Sequence, residues 1–144
     1  MIGSSLTRYH TGGFCLIDTE TESLNVFYSR PWQVAWGICN TRGEIAEVKV
    51  RYIWWKDLSV SEEAAKVTRF DYQAYKAQAL DPKLVYDEFR ADLDNPNYRI
   101  VFHGGHRFDV YVLATWERAL GITPDFSYLL RTIDTNALCK AIIK

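Results

Sequence analysis

The alternation of apolar and polar residues in the first third of the chain predicts three β-strands. An apolar run covers Phe14–Asp18, while Trp32–Cys39 and Ile45–Trp54 alternate in the period of two that is typical of strands with one buried face. The polar stretch Asn40–Glu44 has the composition of a turn and joins the second and third runs into an antiparallel hairpin. Together the three runs predict an antiparallel meander.

The middle of the chain changes to helical periodicity. Ser59 followed by Glu62 has the spacing of a capping box, and Asp81 followed by Pro82 predicts a second helix start with proline in the first turn. From there, apolar residues recur every four positions and share one helical face: Val85, Phe89 and Leu93. This helix is predicted to end near Asn95-Pro96.

The last third of the chain alternates strand and helix. We predict a strand over Tyr98–His103 and a helix over Phe108–Leu120 that ends at Gly121, with its inward residues at Val112, Trp116, Ala119 and Leu120. A final helix over Thr135–Lys144 carries an apolar stripe of Ala137, Leu138, Ala141 and Ile142. The whole order predicts an α/β fold, in which a mixed sheet of the meander plus parallel strands has helices on its faces.

Composition restricts the class of protein. The 144 residues, 48% of them hydrophobic, are enough for one packed domain, which we predict to span residues 1–144. A net charge of −1 excludes a protein that holds nucleic acid by phosphate neutralisation alone. The charge leaves open a nucleic-acid enzyme whose cations are bound metal ions.

The three cysteines, Cys15, Cys39 and Cys139, are widely spaced and form no CxxC pair. Because the first two lie in apolar strand-like runs, they predict buried thiols rather than disulfides or a zinc site. No apolar run approaches the roughly 20 residues that cross a bilayer. We therefore expect a cytoplasmic protein without membrane association.

The end of the first predicted strand carries the strongest chemical signal. Asp18 and Glu20 are two positions apart, so strand geometry places both carboxylates on one face. A third acid, Asp109, follows the strand predicted at Tyr98–His103. In an α/β layer, the end of the first strand and the start of this later helix meet at one edge of the sheet. Carboxylates gathered there predict a site for a hard cation.

These motifs resemble the DEDD superfamily of DnaQ-like 3′-to-5′ exonucleases, which have a ribonuclease-H-like fold. The first family motif is a strand ending in Asp-x-Glu-Thr; Ile17–Thr21 matches it, and Leu24 lies where the family often has leucine. The second is Asn-x-x-Phe/Tyr-Asp at a helix start; Phe108-Asp109 matches it, but Gly105 occupies the Asn position. Arg131–Thr135 resembles the short strand and Asp-Thr before the family's next helix.

The resemblance implies phosphodiester hydrolysis with two metal ions, Mg²⁺ or Mn²⁺. Asp18 and Asp109 would hold the ions, and Glu20 would also ligate the ion that activates water. Carboxylates suit this role because both metals are hard cations.

The resemblance also implies a substrate and the residues beside it. The substrate would be the 3′ end of single-stranded DNA or RNA, and a polymerase or other replication protein would be a further partner. The residues beside the substrate would be Thr21, Leu24, Phe108 and His106. The simpler interpretation is that Leu24 and Phe108 are core or wall residues and that His106 caps the end of a strand in a loop.

The third family motif, Tyr-x-x-x-Asp or His-x-x-x-x-Asp, has no match in the 144 residues. Because it supplies the fourth carboxylate and a general base worth about 10²–10⁴ in rate, we expect this chain to be inactive or weakly active. Either the sequence stops before the motif or the protein has lost it. The final helix shows no stop signal, which favours an incomplete C-terminal part. Such truncation would uncover part of the sheet, so we also expect self-association.

Two other hypotheses stay open. The chain could be a non-catalytic nucleic-acid-binding or scaffolding module of the same fold, or a ribonuclease-H-like endonuclease that cuts hybrids. Stepwise loss of nucleotides from a 3′ end would indicate the exonuclease. Binding without cleavage would indicate the module, and internal cuts would indicate the endonuclease. Asp134 is interpreted as the N-cap of the last helix and Trp54-Trp55 as a packed pair. The remaining cations are interpreted as solvated surface residues: Arg99, Arg107 and Arg131.

Overall fold

The computed structural model describes residues 12–142. Its sheet contains β1 Gly13–Thr21, β2 Pro31–Cys39, β3 Ile45–Tyr52, β4 Tyr98–Phe102 and β5 Thr132–Asp134. Its helices are α1 Glu62–Thr68, α2 Tyr72–Gln78, α3 Pro82–Leu93, α4 Asp109–Ala119 and α5 Thr135–Ile142, with 3-10 turns at Gly105–Arg107 and Ser127–Arg131. The last two residues of the helix predicted to reach Lys144 lie outside the described part, and the single domain over 1–144 stays a prediction.

The strands are ordered β3-β2-β1-β4-β5 across the sheet. β1 pairs antiparallel with β2, and β2 pairs antiparallel with β3. β4 pairs parallel with β1, and β5 pairs parallel with β4, because helical connections return the chain to the same end of the sheet each time. The predicted mixed sheet, an antiparallel meander plus parallel strands with helices packed on it, is confirmed.

One face of the sheet packs against α3 and α4. The ring centroids of Trp36 in β2 and Phe89 in α3 are 5.4 Å apart, and those of Phe89 and Trp116 in α4 are 5.9 Å apart. The stripe predicted on α3 is buried throughout: Val85, Phe89 and Leu93. Removal of these large side chains from water stabilises the fold and fixes the position of α4 on the sheet.

The opposite face of the sheet carries an apolar row that crosses all five of these strands. Each residue in the row lies opposite the next one: Val48, Gly37, Leu16, Val101 and Ile133. Leu16 and Val48 are exposed, so part of this face is uncovered within residues 12–142. The self-association expected from an uncovered sheet face stays a prediction.

The start of α3 agrees with the sequence pattern, whereas the start of α1 does not. Asp81 caps α3 by accepting hydrogen bonds from two backbone amides in its first turn. The cap of α1 is Ser61, so the cap predicted at Ser59 is wrong. The physical reason is a competing contact, because the Ser59 amide donates to the Glu22 carboxylate over 3.2 Å and stays in the preceding loop.

α4 is buried over most of its length, and Gly121, with φ of 71°, follows its end as predicted. Val112 and Trp116 are buried, as predicted. Ala119 is exposed, so its predicted inward position is wrong. Every residue from Val112 to Glu117 is buried, whereas Arg118 and Ala119 are exposed, so burial stops near the end of α4 rather than at one side of the helix.

The thiols and the last helix complete the fold. Cys15 and Cys39 are buried and free, as predicted, and burial raises the pKa of Cys15 to about 12.

The apolar stripe predicted on α5 is exposed: Ala137, Leu138, Ala141 and Ile142. None of the helices within residues 12–142 combines the length and the apolarity needed to cross a bilayer.

Candidate active site

The two acids at the end of β1 lie on the face of the sheet opposite the α3 and α4 layer. Ile17 and Thr19 point into the core and are buried, while Asp18 between them is exposed. Glu20, two residues further, is half-buried on the same face as Asp18. The predicted arrangement of Asp18 and Glu20 on one face is therefore confirmed, and it follows from the period of two in the strand.

Asp109 reaches the same end of β1 from a different element. After β4, Gly104 adopts a left-handed conformation with φ of 76°, and a 3-10 turn brings the chain back to begin α4 at Asp109. The residue is only 5% exposed. The Thr19 hydroxyl donates a 2.7 Å hydrogen bond to its Oδ1. A core-facing residue of β1 thus anchors the acid that opens α4.

The three acids influence one another electrostatically. Burial, opposed by the Thr19 hydrogen bond and reinforced by the charge of Asp18, raises the pKa of Asp109 to about 6. Burial, followed by the charges of Asp18 and Asp109, raises the pKa of Glu20 above its ordinary value. Partial desolvation of its carboxyl group also raises the pKa of Asp18, with the Thr19 amide opposing. A cation nearby would relieve this mutual repulsion.

The donor chemistry at this end of β1 suits a hard divalent ion, because carboxylate oxygens are the ligands that Mg²⁺ and Mn²⁺ prefer. The described residues, 12–142, nevertheless contain no group of three or more His, Cys, Asp or Glu side chains arranged to hold a metal ion. The acids therefore affect one another's pKa values but do not form a complete set of metal ligands. The ligand roles predicted for Asp18, Glu20 and Asp109 stay predictions.

Comparison with known proteins gives structural neighbours only. No family model matches the chain, and no curated protein matches it either. Exonuclease I in complex with an inhibitor has a TM-score of 0.80 and 18% identity, with 92% of this chain and 31% of that chain covered. Product-bound exonuclease I gives the same TM-score and identity, with 92% and 33% covered. For E. coli exonuclease I in complex with a dT13 oligonucleotide the TM-score is 0.77, the identity is 18%, and 92% and 30% are covered.

The fold is ribonuclease-H-like. This chain spans about a third of the length of these exonuclease I chains. At 18% identity the likeness establishes the shared sheet and helix layers and carries no residue roles.

Gly105 is the residue at which this ribonuclease-H-like chain departs from the second motif of the DnaQ-like exonucleases. It occupies the position of the motif's Asn. A Cβ atom at Gly105 would overlap the Cβ and ring atoms of Phe102, the last residue of β4. Position 105 therefore accommodates no side chain on this backbone, and Asp109 is placed without help from an asparagine there.

His106 is held by β5. Its Nδ1 lies 3.1 Å from Oδ2 of Asp134, and its Nε2 lies 3.4 Å from Oγ1 of Thr132. Both ring nitrogens are thus engaged in the loop after β4, which agrees with the interpretation of His106 as a loop residue. Its predicted contact with substrate stays a prediction.

Asp134 is the N-cap predicted for the last helix, since its Oδ1 accepts from the Asn136 amide over 2.9 Å. The same oxygen accepts from the Gly104 amide over 2.9 Å. Desolvation is outweighed by the hydrogen bonds from the Gly104 amide and from His106, so the pKa of Asp134 lies well below its ordinary value. Asp134 therefore ties the turn before α4 to the start of α5.

The other predicted substrate residues differ in availability. Leu24 is 72% exposed and lies in the loop after β1. Thr21 is buried, and its hydroxyl donates to the Ser23 carbonyl over 2.7 Å, so it is committed to its own loop. Phe108 is half-buried directly before Asp109. The contacts of all three with substrate stay predictions.

The loop after β1 has a support that the sequence pattern does not predict. The buried Glu22 accepts from the Arg30 guanidinium over 2.6 Å, and Arg30 also reaches Asp57 over 2.8 Å. Arg30 stacks over Trp55, 5.0 Å from the ring centroid. An acid and an arginine that flank a loop are a signal for such a clamp, but the sequence does not show that the two meet.

The tryptophan pair Trp54-Trp55 and Arg131 have structural roles. Trp55 is buried and donates through Nε1 to the Pro31 carbonyl over 2.7 Å. Trp54 stacks on Tyr75 with ring centroids 5.7 Å apart. Arg131 donates to backbone carbonyls at the end of α3 and the start of β4. The interpretation of the tryptophans as packed is confirmed, and Arg131 is a structural residue rather than a solvated one.

Proposed function

We propose that this chain is a metal-dependent 3′-to-5′ exonuclease domain of the DnaQ-like type that acts on single-stranded nucleic acid. The observation that carries the proposal is the meeting of β1 and α4 in a ribonuclease-H-like sheet: Thr19 donates a hydrogen bond to Asp109, and the acids on either side of Thr19 share the opposite face of the strand. Burial and the charges of neighbouring acids raise the pKa values of Glu20 and Asp109, which favours a cation there.

The proposed site residues are Asp18, Glu20 and Asp109, which would hold Mg²⁺ or Mn²⁺. A bound divalent ion supplies an activated water and stabilises the leaving oxygen of the phosphodiester. The chain's own contribution is to position the acids: Thr19 fixes Asp109 through its hydroxyl, and the strand places Asp18 and Glu20 side by side.

Single-stranded DNA is the substrate we favour over RNA. Exonuclease I, the structural neighbour, is described in a complex with single-stranded DNA and in a complex with the C-terminal segment of SSB. We propose the corresponding substrate for this chain, with a replication protein as partner. Leu24, Phe108, Thr21 and His106 are the residues proposed to lie beside the terminal nucleotide.

The proposed activity is weak. The 144 residues contain no Tyr or His followed by Asp at the spacing of the third family motif, so neither a fourth carboxylate nor the usual general base is supplied by these residues. The loss of general base catalysis alone lowers the rate by about 10²–10⁴.

A second candidate function is a nucleic-acid-binding module without catalysis. It is favoured by one specific observation, the lack of a group of three or more potential ligands arranged for a metal ion within residues 12–142. This candidate predicts binding of single strands that does not depend on Mn²⁺ and no hydrolysis.

A 5′-labelled single strand incubated with Mg²⁺ or Mn²⁺ tests both candidates. The exonuclease predicts a ladder of products shortened from the 3′ end, abolished by EDTA and by Asp18→Asn or Asp109→Asn. Glu63→Gln, at an exposed acid on α1, is the matched control and should leave the ladder unchanged. Internal cuts would support the endonuclease hypothesis. Binding without products, at high protein concentration and with Mn²⁺ present, would overturn the proposal in favour of the module.

A further inference from the structure

The loop between β1 and β2 and the start of α4 present an exposed aromatic platform, formed by Phe27, Tyr28 and Tyr111. These side chains are 66%, 79% and 41% exposed, respectively. The ring centroids of Phe27 and Tyr111 are 5.6 Å apart, at an interplanar angle of 59°. Phe27 and Tyr111 thus form an exposed pair of rings in contact, and Tyr28 is the next residue of the same loop.

The loop that carries Phe27 and Tyr28 is held in place. The Phe27 amide donates to Oδ1 of Asn25 over 3.2 Å, and the Tyr28 amide donates to the Asn25 carbonyl over 3.2 Å. The Thr115 hydroxyl of α4 donates to the Val26 carbonyl over 3.4 Å. The backbone of this loop is therefore ordered before any ligand arrives, which lowers the entropy lost on binding.

The platform and the candidate active site lie on the same two elements, with the exposed Tyr111 about 200° around α4 from the buried Asp109. Tyr111 is two residues beyond Asp109 in α4, and the loop begins directly after the strand that carries Asp18 and Glu20. A nucleic acid whose terminal phosphodiester lies at the acids would therefore pass around the start of α4 to place its neighbouring nucleotides on this surface.

Charge favours a nucleic acid as the occupant. Arg118 lies seven residues after Tyr111 in α4, so the two side chains share one face of the helix. Arg118 is exposed and forms no ion pair with any of residues 12–142. Proteins that bind single strands combine aromatic rings, on which bases stack, with cations along the path of the phosphate backbone. Arg118 lies two helical turns, about 10 Å, beyond Tyr111.

We propose that Phe27, Tyr28 and Tyr111 form a stacking subsite for the bases of single-stranded DNA, with Arg118 pairing with its phosphate backbone. The proposal rests on the proposed function for its placement beside the acids. It adds a means of holding the strand that is independent of the metal ligands.

The test compares two labelled oligonucleotides of equal length, oligo-dT and an abasic strand with the same phosphates, by fluorescence anisotropy in EDTA. Phe27→Ala and Tyr111→Ala should each weaken oligo-dT binding roughly tenfold, the range of one stacked base, and leave abasic binding unchanged. Tyr111→Phe keeps the ring and should bind as the unaltered chain does. Tyr72→Ala, at an exposed ring on α2, is the matched control. Arg118→Gln should weaken binding of both strands and lower the salt slope by about 1.

Equal losses on both strands, an equal loss in Tyr72→Ala, or no base-dependent binding by the unaltered chain would overturn the inference. Loss of self-association on gel filtration in Phe27→Ala, with oligo-dT binding intact, would also overturn it and assign the platform to a second copy. Circular dichroism establishes that each variant is folded. Base-dependent binding that is lost in Phe27→Ala supports the subsite even where no hydrolysis is detected, so failure of the proposed function is distinguishable from failure of the subsite.

Discussion

The hydroxyl of Thr19 donates a 2.7 Å hydrogen bond to Asp109, 90 positions later in the chain. Both residues are buried. The bond joins the first strand to the helix that packs across it, at the point where the sheet ends. It also keeps Asp109 partly ionisable, because it lowers a pKa that burial raises. One contact thus fixes the position and the charge of the same carboxylate.

Thr19→Val should raise the pKa of Asp109 further above about 6, since the substitution keeps the shape and removes the donor. Loss of a hydrogen bond to a buried carboxylate should also lower the free energy of unfolding at pH 8 by about 1–3 kcal/mol. The pKa is measured by ¹³C NMR titration of the Asp109 carboxyl, and the stability by urea denaturation. Thr19→Ser retains the hydroxyl and is the control. An unchanged pKa in Thr19→Val would show that the bond does not act on the acid.

Asp109→Asn should stabilise the fold at alkaline pH when no metal is present. The folded pKa of about 6 lies above the ordinary 3.8, so the cost of ionising Asp109 is absent below pH 3.8, grows between pH 3.8 and 6, and is complete above that range. A shift of this size corresponds to about 3 kcal/mol, from which loss of an acid at the helix start subtracts up to about 1 kcal/mol. We expect a gain of about 2 kcal/mol at pH 8.

The measurement for Asp109→Asn is denaturation at pH 3.5 and at pH 8 in EDTA. The difference between the variant and the unaltered chain should be near zero or unfavourable at the lower pH and favourable at the higher one. Glu63→Gln, at an exposed acid, should show no comparable dependence on pH. A pH-independent difference would contradict the elevated pKa.

The sequence was sufficient for the parts of the fold that depend on local pattern. Alternation along β1 predicted that Asp18 and Glu20 share a face, and Asp81-Pro82 predicted the start of α3. Ser59 was the wrong cap although Glu62 follows it at the capping-box spacing, whereas the actual cap, Ser61, has Ala64 at that spacing. The Ser59 amide donates instead to Glu22, a residue distant in the chain, and local rules do not include such a contact.

The acids of the candidate site could be predicted from the sequence, but the hydrogen bond that holds Asp109 in place could not. The motif names Asp18 and Asp109, but Thr19 occupies a position that the motif leaves free, and only the packing of α4 on β1 gives its hydroxyl a partner. The aromatic contact between Phe27 and Tyr111 likewise joins a loop to a helix, a meeting that no periodicity encodes.

Gly105→Ala should destabilise the fold by more than about 2 kcal/mol, because the added Cβ overlaps Phe102 and the backbone after β4 has to move. Gly37→Ala in β2 is the control: its Cβ would meet neighbours at ordinary contact distances of 3.7 Å, and we expect a change within about 0.5 kcal/mol. Thermal unfolding of both variants measures the difference. Similar melting temperatures would show that the turn before α4 accepts a side chain.

Arg131→Ala should lower stability and leave the salt dependence of DNA binding unchanged. The guanidinium donates three hydrogen bonds to the backbone carbonyls of Leu93, Asn95 and Tyr98, at 2.7–2.9 Å. Each bond contributes about 0.5–1.5 kcal/mol, so we expect a loss of about 2–3 kcal/mol in urea denaturation. Arg118→Gln should behave in the opposite way, with unchanged stability and a smaller salt slope. A reduced salt slope in folded Arg131→Ala would assign that arginine to phosphate contact.

Mn²⁺ should stabilise the chain at pH 8 through the coupled acids. A cation near Asp18, Glu20 and Asp109 offsets their mutual repulsion, so it should raise the melting temperature and lower the pKa of Asp109 towards its ordinary value. With free Mn²⁺ at 100 times its dissociation constant, the expected gain is about 2.7 kcal/mol. Differential scanning fluorimetry with increasing Mn²⁺ measures the effect, with Ca²⁺ as the larger hard cation for comparison. The gain should shrink in Asp18→Asn and Asp109→Asn and persist in Glu63→Gln; an equal gain in all four proteins would locate Mn²⁺ binding elsewhere on the surface and remove the acids from the proposed site.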